Sequence, residues 1–316
     1  MIGTYGNAFI IYNPHAGGLR RKQVGAVAQV VHAIEAQGHR VTAMPTGGPG
    51  GATGLARQVL QEGADLVLAL GGDGTVNETA NGMIGSRVPL AMLPAGTANV
   101  LARELGLPCN PLAAARRIAE LVPRRIAVGL LRSDGGACSR HFLLMAGVGF
   151  DAHIVYNLNL DLKSRLGQLA YWAGALKEIG RRLDEFDAEA GGRRFRCSFA
   201  VASRTRNYAG YLKIATHASL LAQDFGVVIF EGVSTLRYYG IYLPAVLSGR
   251  ADHTKGISFL RSAGASFAAP PGAPVYVQVD GDYAGRLPAS VEIVPDALTI
   301  LTPPEFPETA YGPAHS

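Results

Sequence analysis

The run Gly71-Gly72-Asp73-Gly74-Thr75-Val76-Asn77-Glu78 directly follows the apolar segment Asp65 to Leu70 (DLVLAL) and directly precedes a helical pattern. That junction constrains the chain more than any other. A short run rich in Leu and ended by glycines reads as a buried strand. A strand that turns through glycines into a helix is the opening half of a βαβ unit in a parallel sheet. The glycines leave backbone N–H groups unobstructed and able to approach a phosphate, and Thr75 and the helix N-terminus add further donors. Asp73 fits poorly in such a cradle, because a carboxylate repels phosphate. Its presence makes sense if it binds a divalent cation, orients a donor or accepts a proton. A plain strand-to-helix turn with an Asp cap is the alternative.

The same grammar runs through the first third of the chain. Phe9 to Asn13, His39 to Met44 and Pro89 to Pro94 join Asp65 to Leu70 as predicted strands, with helices expected near 20–37, 52–62, 75–84 and 98–106. In open parallel sheets ligands bind beyond the C-terminal ends of the strands. Four loops should therefore converge there: Asn13 to Gly18, Pro45 to Gly51, Gly71 to Gly74 and Ala95 to Thr97. From about residue 125, strand-like runs at 125–132, 141–150, 194–203, 213–217, 226–231, 257–261, 274–280 and 290–294 follow one another, broken by helical stretches near 161–186 and 233–248. The expected fold class is an α/β N-terminal domain over 1–125, with a parallel sheet and Gly-rich nucleotide loops. A mainly antiparallel β-sandwich C-terminal domain over 126–296 follows it. The tail 297–316 carries LTILTP and is expected to return to the first domain as a strand.

With 48% apolar and 17% charged residues over 316 positions, the chain has the material for real cores. Its net charge of +5 favours anionic partners. No Lys/Arg run exceeds three residues and no array of stacking aromatics is visible, which argues against nucleic acid. Cys109, Cys138 and Cys197 are an odd, widely spaced set without C-x-x-C, so neither a disulfide framework nor a thiolate zinc site is expected. The eight histidines show no pair at metal spacing. No secretory signal and no run approaching 18 apolar residues is visible, so no transmembrane segment is expected. The expected location is cytoplasmic, with peripheral association at the inner face of the membrane.

GGDGTVNE, the upstream NPHAGG at Asn13 to Gly18 and the downstream PAGTANVLAREL at Pro94 to Leu105 together resemble the diacylglycerol kinase catalytic domain family, which includes bacterial lipid kinases and sphingosine kinases. MAGVGFDA (Met145 to Ala152), KSRLGQLAYW (Lys163 to Trp172) and VDGD (Val279 to Asp282) follow in the family's order, so the resemblance covers most of the chain. It implies an ATP-dependent kinase acting on a hydroxyl of a membrane lipid such as diacylglycerol, with ATP and Mg2+ as cofactors. Carried over residue by residue, ATP would be lined by Asn13, Pro14, His15, Ala16 and Gly17, by Thr46, by Gly71, Gly72, Asp73, Gly74, Thr75, Val76 and Asn77, and by Thr97. Ala16 stands where many relatives have a hydroxyl residue, and Val100 where many have Asp. Asn99 also reads as an ordinary helix-start residue.

VDGDYAG places two carboxylates two residues apart after the alternating strand PVYVQVD. A continued strand would put both on one face, where either could accept a hydroxyl proton; an ordinary Asp-Gly hairpin turn is the other reading. The family usually has D-G-E here, with the Glu as proton acceptor. Asp282 is its counterpart, one methylene shorter, and the choice between Asp282 and Asp280 stays open. Asp73 completes the catalytic candidates.

LAQDFG at Leu221 to Gly226 resembles a segment in which bacterial members hold a structural Mg2+. The ligands would be the Asp224 carboxylate and the carbonyls of Leu221 and Gly226; a solvated loop is the alternative. Leu162, Leu166, Leu169, Ala173, Leu176 and Leu183 recur at helical spacing among Lys163, Arg165, Lys177, Arg181 and Arg182. That fits an interfacial helix or a core-facing one. Two other functions compete: a soluble-substrate kinase of the NAD-kinase type, which shares the GGDG turn, and a non-catalytic nucleotide- or lipid-binding regulator. A second copy of the chain is admitted as a partner.

Overall fold

The computed structural model describes residues 4–17, 25–157, 180, 182–208, 212–270 and 272–307. The chain divides into two compact units, Met1–Ala127 with Pro295–Glu308, and Val128–Val294 with Thr309–Ser316.

Unit 1 alternates strands and helices: β1 (Ala8–Tyr12), α1 (Ala26–Glu35), β2 (Val41–Pro45), α2 (Gly51–Gln61), β3 (Leu66–Gly71), α3 (Asp73–Met83), β4 (Pro89–Pro94), α4 (Val100–Glu104) and α5 (Pro111–Ala115). The four strands are parallel in the order β2-β1-β3-β4. The end of the last strand of the chain continues this sheet, with Thr299 opposite Pro89 and Ile300 opposite Leu90 in parallel. All six residues of β3 are buried, as a strand covered on both faces requires. Gly82 sets the approach of α2 to α3: a Cβ there would stand 2.5 Å from the Thr53 carbonyl oxygen and 2.6 Å from the Ala56 Cβ. The helix expected near 98–106 is shorter than its pattern, because Asn99 adopts the left-handed conformation (φ 47°) and α4 starts only after it. Of the helix expected near 20–37, the described part is α1.

Unit 2 contains β5 (Val122–Ser133, which begins in unit 1), β6 (Cys138–Phe142), β7 (Met145–Gly149), α6 (Phe150–Asn157), β8 (Phe186–Ala190), β9 (Arg193–Cys197), β10 (Phe199–Ser203), β11 (Asn207–Tyr208), β12 (Leu212–Lys213), β13 (Phe225–Phe230), β14 (Ile257–Ser262), β15 (Gly264–Ala268), β16 (Tyr276–Val279), β17 (Asp282–Arg286) and the first part of β18 (Ala289–Thr302). One layer is antiparallel in the order β14-β13-β10-β7-β16-β17. The other runs β18-β15-β8-β9, with β5 joining β18 to β6. Their inward side chains, among them Phe142, Phe186, Phe225, Ile229, Phe267 and Val277, form one buried cluster. Each such side chain contributes about 1.5–3 kcal/mol on burial. The architecture is the β-sandwich the sequence pattern implies.

The differences lie in the segmentation. The runs 141–150 and 194–203 are each two strands, and buried Ser198 separates β9 from β10, its carbonyl accepting from Phe150 N at 3.0 Å. The run 213–217 reduces to β12. Strands β8 and β15 escape a hydrophobicity reading because their inward positions are largely alanines between charged or small residues. Residues 235–247 are helical, with a π-helical stretch at Tyr238–Tyr242. The stretch Leu162 to Leu183 lies outside the described residues except for Gly180, Arg182 and Leu183. Phe186, the end of the helix expected near 161–186, begins β8. Among the described residues no helix is long and apolar enough to cross a membrane.

Candidate functional site

In unit 1 the ladder hydrogen bonds continue past the strand ends and draw the loops together. Asn13 N donates to the Leu70 carbonyl (3.1 Å), Thr46 N to that of Tyr12 (2.9 Å) and Ala95 N to that of Gly71 (2.8 Å). The first loop folds on itself, with the Asn13 carboxamide oxygen accepting from His15 N at 2.8 Å and the Asn13 carbonyl from Ala16 N at 3.0 Å. Pro14, His15, Gly17 and Thr97 are exposed, while Ala16 is buried. A Cβ on Gly17 would stand 4.0 Å from the Thr97 hydroxyl oxygen, so the first and fourth loops adjoin. The third and fourth adjoin more closely: a Cβ on Gly96 would stand 2.4 Å from the Gly72 Cα. Only glycine permits that approach of two backbones. Gly71 is equally confined, since a Cβ there would meet the Thr75 hydroxyl at 2.4 Å. Thr75, Val76 and Asn77 are buried on α3, so the segment Gly71 to Asn77 offers a ligand backbone groups rather than a row of side chains.

The two acids of GGDGTVNE point away from each other, to neighbouring helices. Asp73 is the first residue of α3, yet its carboxylate accepts from Leu101 N at the start of α4 (3.3 Å). Burial pushes its carboxyl above the ordinary value, against the pull of the N–H groups of Val100, Leu101, Asp73 itself and Asn99. Glu78 accepts from Gly50 N (2.9 Å) and Ala52 N (3.3 Å) at the start of α2, while its own carbonyl takes the Thr53 hydroxyl (2.8 Å). Both acids cap helices whose own N-cap residues make no side-chain cap bond. No side-chain cap closes α3, which begins after Gly72. Its N-terminal N–H groups and dipole face this sheet edge, with the Asp73 carboxylate also drawn to its own N–H. Asn99 holds the fourth loop, accepting from Gly96 N and donating to Gly96 O, both at 2.9 Å.

In unit 2, Asp280 and Asp282 bracket a two-residue hairpin turn. Asp280 (φ 50°) and Gly281 (φ 84°) have the positive φ values of a tight β-hairpin, and Val279 pairs with Asp282 across it. The strand does not continue, so the two carboxylates do not share a face in the way the alternation implies. Asp280 accepts from three consecutive backbone groups: Leu143 N (3.0 Å), Leu144 N (3.0 Å) and Met145 N (2.9 Å). Asp282, partly exposed, faces Arg140 Nη2 at 3.3 Å. Gln278 fixes the turn by accepting from Gly281 N at 2.8 Å.

The loop that would carry the structural Mg2+ holds guanidinium groups. Both Asp224 oxygens accept from Arg261, at 2.8 and 2.9 Å. Fully buried Arg204 donates to the carbonyls of Leu220 (2.5 Å), Ala222 (2.8 Å) and Asp224 (2.7 Å). Burial pulls its pKa down to about 10, with Asp224 opposing. Gly226 is inside β13, paired to Ser203 and Arg261 on either side, so its carbonyl is a ladder group. Of the three candidate ligands, Asp224 is thus engaged by a cationic side chain and Gly226 lies within a strand. Arg261 matches the Asp224 charge, while the carbonyls that Arg204 takes are those of Leu220, Ala222 and Asp224 rather than that of Leu221. Among the described residues no group of three His, Cys, Asp or Glu is placed to hold a metal.

The pairing of Glu78 with α2, Arg140 beside Asp282 and Arg204 in its carbonyl ring were missed by the sequence reading. Their partners are mostly backbone atoms remote in sequence, which leave no motif. A cleft of about 400 Å³ lies against β13 and β14, lined by Val227, Ile257, Phe259 and Leu260 with His217 and Asp252. It is four strand positions from β17, roughly 19 Å at the usual strand spacing, and so does not adjoin Asp282.

The profile of the diacylglycerol kinase catalytic domain matches residues 7–131, and that of the YegS C-terminal NAD kinase beta sandwich-like domain matches residues 145–302. The chain is 28% identical over 307 residues to a diacylglycerol kinase of Bacillus subtilis (strain 168), covering 95% of this chain and 98% of the relative. It is 29% identical over 317 residues to a diacylglycerol kinase of Mycobacterium tuberculosis (strain H37Rv), covering 91% and 98%. A crystal structure of a diacylglycerol kinase from Bacillus anthracis str. Sterne superposes with a TM-score of 0.75 at 20% identity over 96% of this chain and 99% of that one, a likeness of fold.

Proposed function

We propose, from the premise that this chain belongs to the diacylglycerol kinase family, that it transfers the γ-phosphoryl group of ATP to a hydroxyl of a membrane lipid such as diacylglycerol. The observation that carries the reading is the N-terminus of α3, whose N-cap residue Gly72 has no side chain to close it, at the edge of the parallel sheet where four loops meet and where Glu78 and Asp73 take the starts of α2 and α4. Backbone N–H groups of Gly72 to Thr75 and the α3 dipole hold the phosphate chain, which arrives as the magnesium salt of ATP, its charge compensated by the substrate's own cation. Asp73 acts by fixing the Gly96–Asn99 loop against the glycines of the third loop.

The lipid hydroxyl oxygen attacks the γ-phosphorus, the bond to the bridging oxygen of ADP breaks, and Asp282 takes the hydroxyl proton. Asp282 is preferred over Asp280 because Asp280 is committed to three backbone donors, whereas Asp282 is partly open and its ion pair with Arg140 is exposed enough to exchange. The test is incubation of the purified chain with MgATP and a panel of detergent-dispersed lipid alcohols, with mass detection of products. A phosphorylated lipid is expected. Label transferred only to water-soluble acceptors, or nucleotide binding without product across the panel, would reject the reading.

A further inference from the structure

Beside Asp282, strand β17 does not pair evenly with β16. Tyr276 pairs with Arg286 and Gln278 with Tyr283, so β17 advances three residues while β16 advances two. The extra residue is a β-bulge, and a bulge returns side chains an odd number apart to one face. It is built on purpose-made contacts. Gly285 has φ 100°, and a Cβ there would meet the Asp134 carboxylate at 2.5 Å. Asp134 accepts from Arg286 N at 2.8 Å, and the Ser133 hydroxyl donates to the Ala284 carbonyl at 2.5 Å.

The bulge brings Tyr283 and Arg286 to the face that holds Tyr276, and α6 adds Tyr156. The Tyr156 and Tyr276 rings stack at 4.1 Å, Tyr283 lies 5.1 Å from Tyr156, and the Arg286 guanidinium sits 5.1 Å over the Tyr276 ring. Hydrogen bonds to Tyr156 and Tyr283 frame that guanidinium, which has no carboxylate partner among the described residues and stays exposed. Tyr156 and Tyr283 are each 43% exposed, two of the five large hydrophobic side chains most open to solvent among the described residues; the other three, Leu236, Ile241 and Leu247, are also in unit 2.

We propose that Tyr156, Tyr276, Tyr283 and Arg286 form a contact surface for the phosphate headgroups of an anionic lipid bilayer. The surface has what such a partner takes: a forked cation that matches phosphate, and phenol rings that are apolar at the face and polar at the tip, the type enriched where lipid meets water. A phenol hydroxyl that accepts from the guanidinium retains its own proton to donate to a phosphate oxygen. This deepens the lipid-kinase reading and rests on it for its purpose, since the platform and Asp282 share one hairpin.

The test is co-sedimentation of the full chain with vesicles of phosphatidylcholine, with and without phosphatidylglycerol. Wild type is expected to favour the anionic vesicles. Arg286→Gln lowers that partition about fivefold, the equivalent of about 1 kcal/mol for one cation at such a surface. Arg286→Lys retains most of it, and Tyr156→Ser/Tyr283→Ser weakens it with the melting temperature unchanged. Each variant keeps its turnover on detergent-dispersed lipid. Equal binding of wild type to both vesicles, or of the variants and wild type to anionic vesicles, overturns the proposal. Loss of inorganic phosphate binding in the variants with vesicle binding intact overturns it in favour of a soluble phosphate ligand. Absence of a lipid product would sink the kinase reading and leave the vesicle result to stand on its own.

Discussion

The two aspartates of the VDGD turn should part company under mutation. Asp280→Ala strands the N–H groups of Leu143, Leu144 and Met145, each now within 3.0 Å of a carboxylate oxygen. Losing a charged acceptor costs about 1–2 kcal/mol per partly buried donor. Alanine also tolerates the left-handed conformation at position 280 (φ 50°) less well than Asp. The sum is about 4 kcal/mol; Asn, which keeps one carbonyl oxygen, loses roughly half of that. Asp282→Asn weakens an ion pair with 27% and 41% of the two side chains exposed, about 0–1 kcal/mol. At roughly 2–4 °C per kcal/mol, Asp280→Ala melts about 10 °C lower and Asp282→Asn within about 2 °C of wild type. Turnover behaves in the opposite way. Asp282→Asn loses about 10²- to 10⁴-fold in kcat, as for a removed general base, while Asp280→Asn, assayed well below its melting point, stays within a few-fold of wild type. Circular dichroism melts alongside lipid phosphorylation in detergent micelles read both effects. The reasoning is refuted if Asp282→Asn turns over normally, or if Asp280→Asn is inactive while fully folded.

Two other outcomes follow from charges inside the fold. Burial raises the Asp73 carboxyl, so the folded chain holds its proton more tightly than the unfolded one. That contribution to stability is complete below the ordinary carboxyl value and is lost as pH rises through the folded value. The melting difference between Asp73→Asn and wild type should thus shift in favour of the Asn variant from about pH 4 to about pH 8, and a constant difference would contradict the assignment. The guanidinium in the 220–224 carbonyl ring should make that loop indifferent to divalent cations: EDTA leaves the wild-type melting temperature unchanged, whereas Arg204→Met costs about 3 kcal/mol or more by leaving buried acceptors unmatched. A chelator-induced drop in melting temperature would return the cation to Asp224.

The strand ends of unit 1 were legible because burial and turning leave compositional marks. A strand covered on both faces must be apolar throughout, as Leu66 to Gly71 is, and a turn that brings Gly72 to Gly96 must be glycine at both points. Strands such as β8 were illegible for the same reason in reverse: Phe186, Ala188 and Ala190 alternate with acids, and alanine on an inward face looks like nothing in particular. The metal reading rested on one aspartate. What the sequence left out, one guanidinium on the Asp224 carboxylate and another on the turn carbonyls, comes from Arg261, on another strand, and Arg204, at a different strand end. No local spacing encodes such a partnership. The Asp280/Asp282 choice was open in the sequence because alternation assumes a continuing strand, and φ 50° at Asp280 is a property of the fold.

The difficulty posed by Asp73 in a glycine-rich loop resolves through its neighbours. Helices α2, α3 and α4 are among those that begin at one edge of the unit 1 sheet, and each N-terminus carries roughly half a positive charge with unsatisfied N–H groups. Left open, all three would compete for an anion and blur its position. Asp73 reaches the start of α4 and Glu78 that of α2, both from α3, whose own N-cap residue is a glycine without a side-chain cap. The acids of the motif do not need to touch a phosphate to organise its site. They occupy two alternative seats, the starts of α2 and α4, beside the α3 end proposed for the triphosphate. On this view the carboxylates and the glycines of GGDGTVNE do complementary work, and truncating either acid to alanine, which removes the acceptor, should loosen the neighbouring loop rather than strip a ligand from the nucleotide.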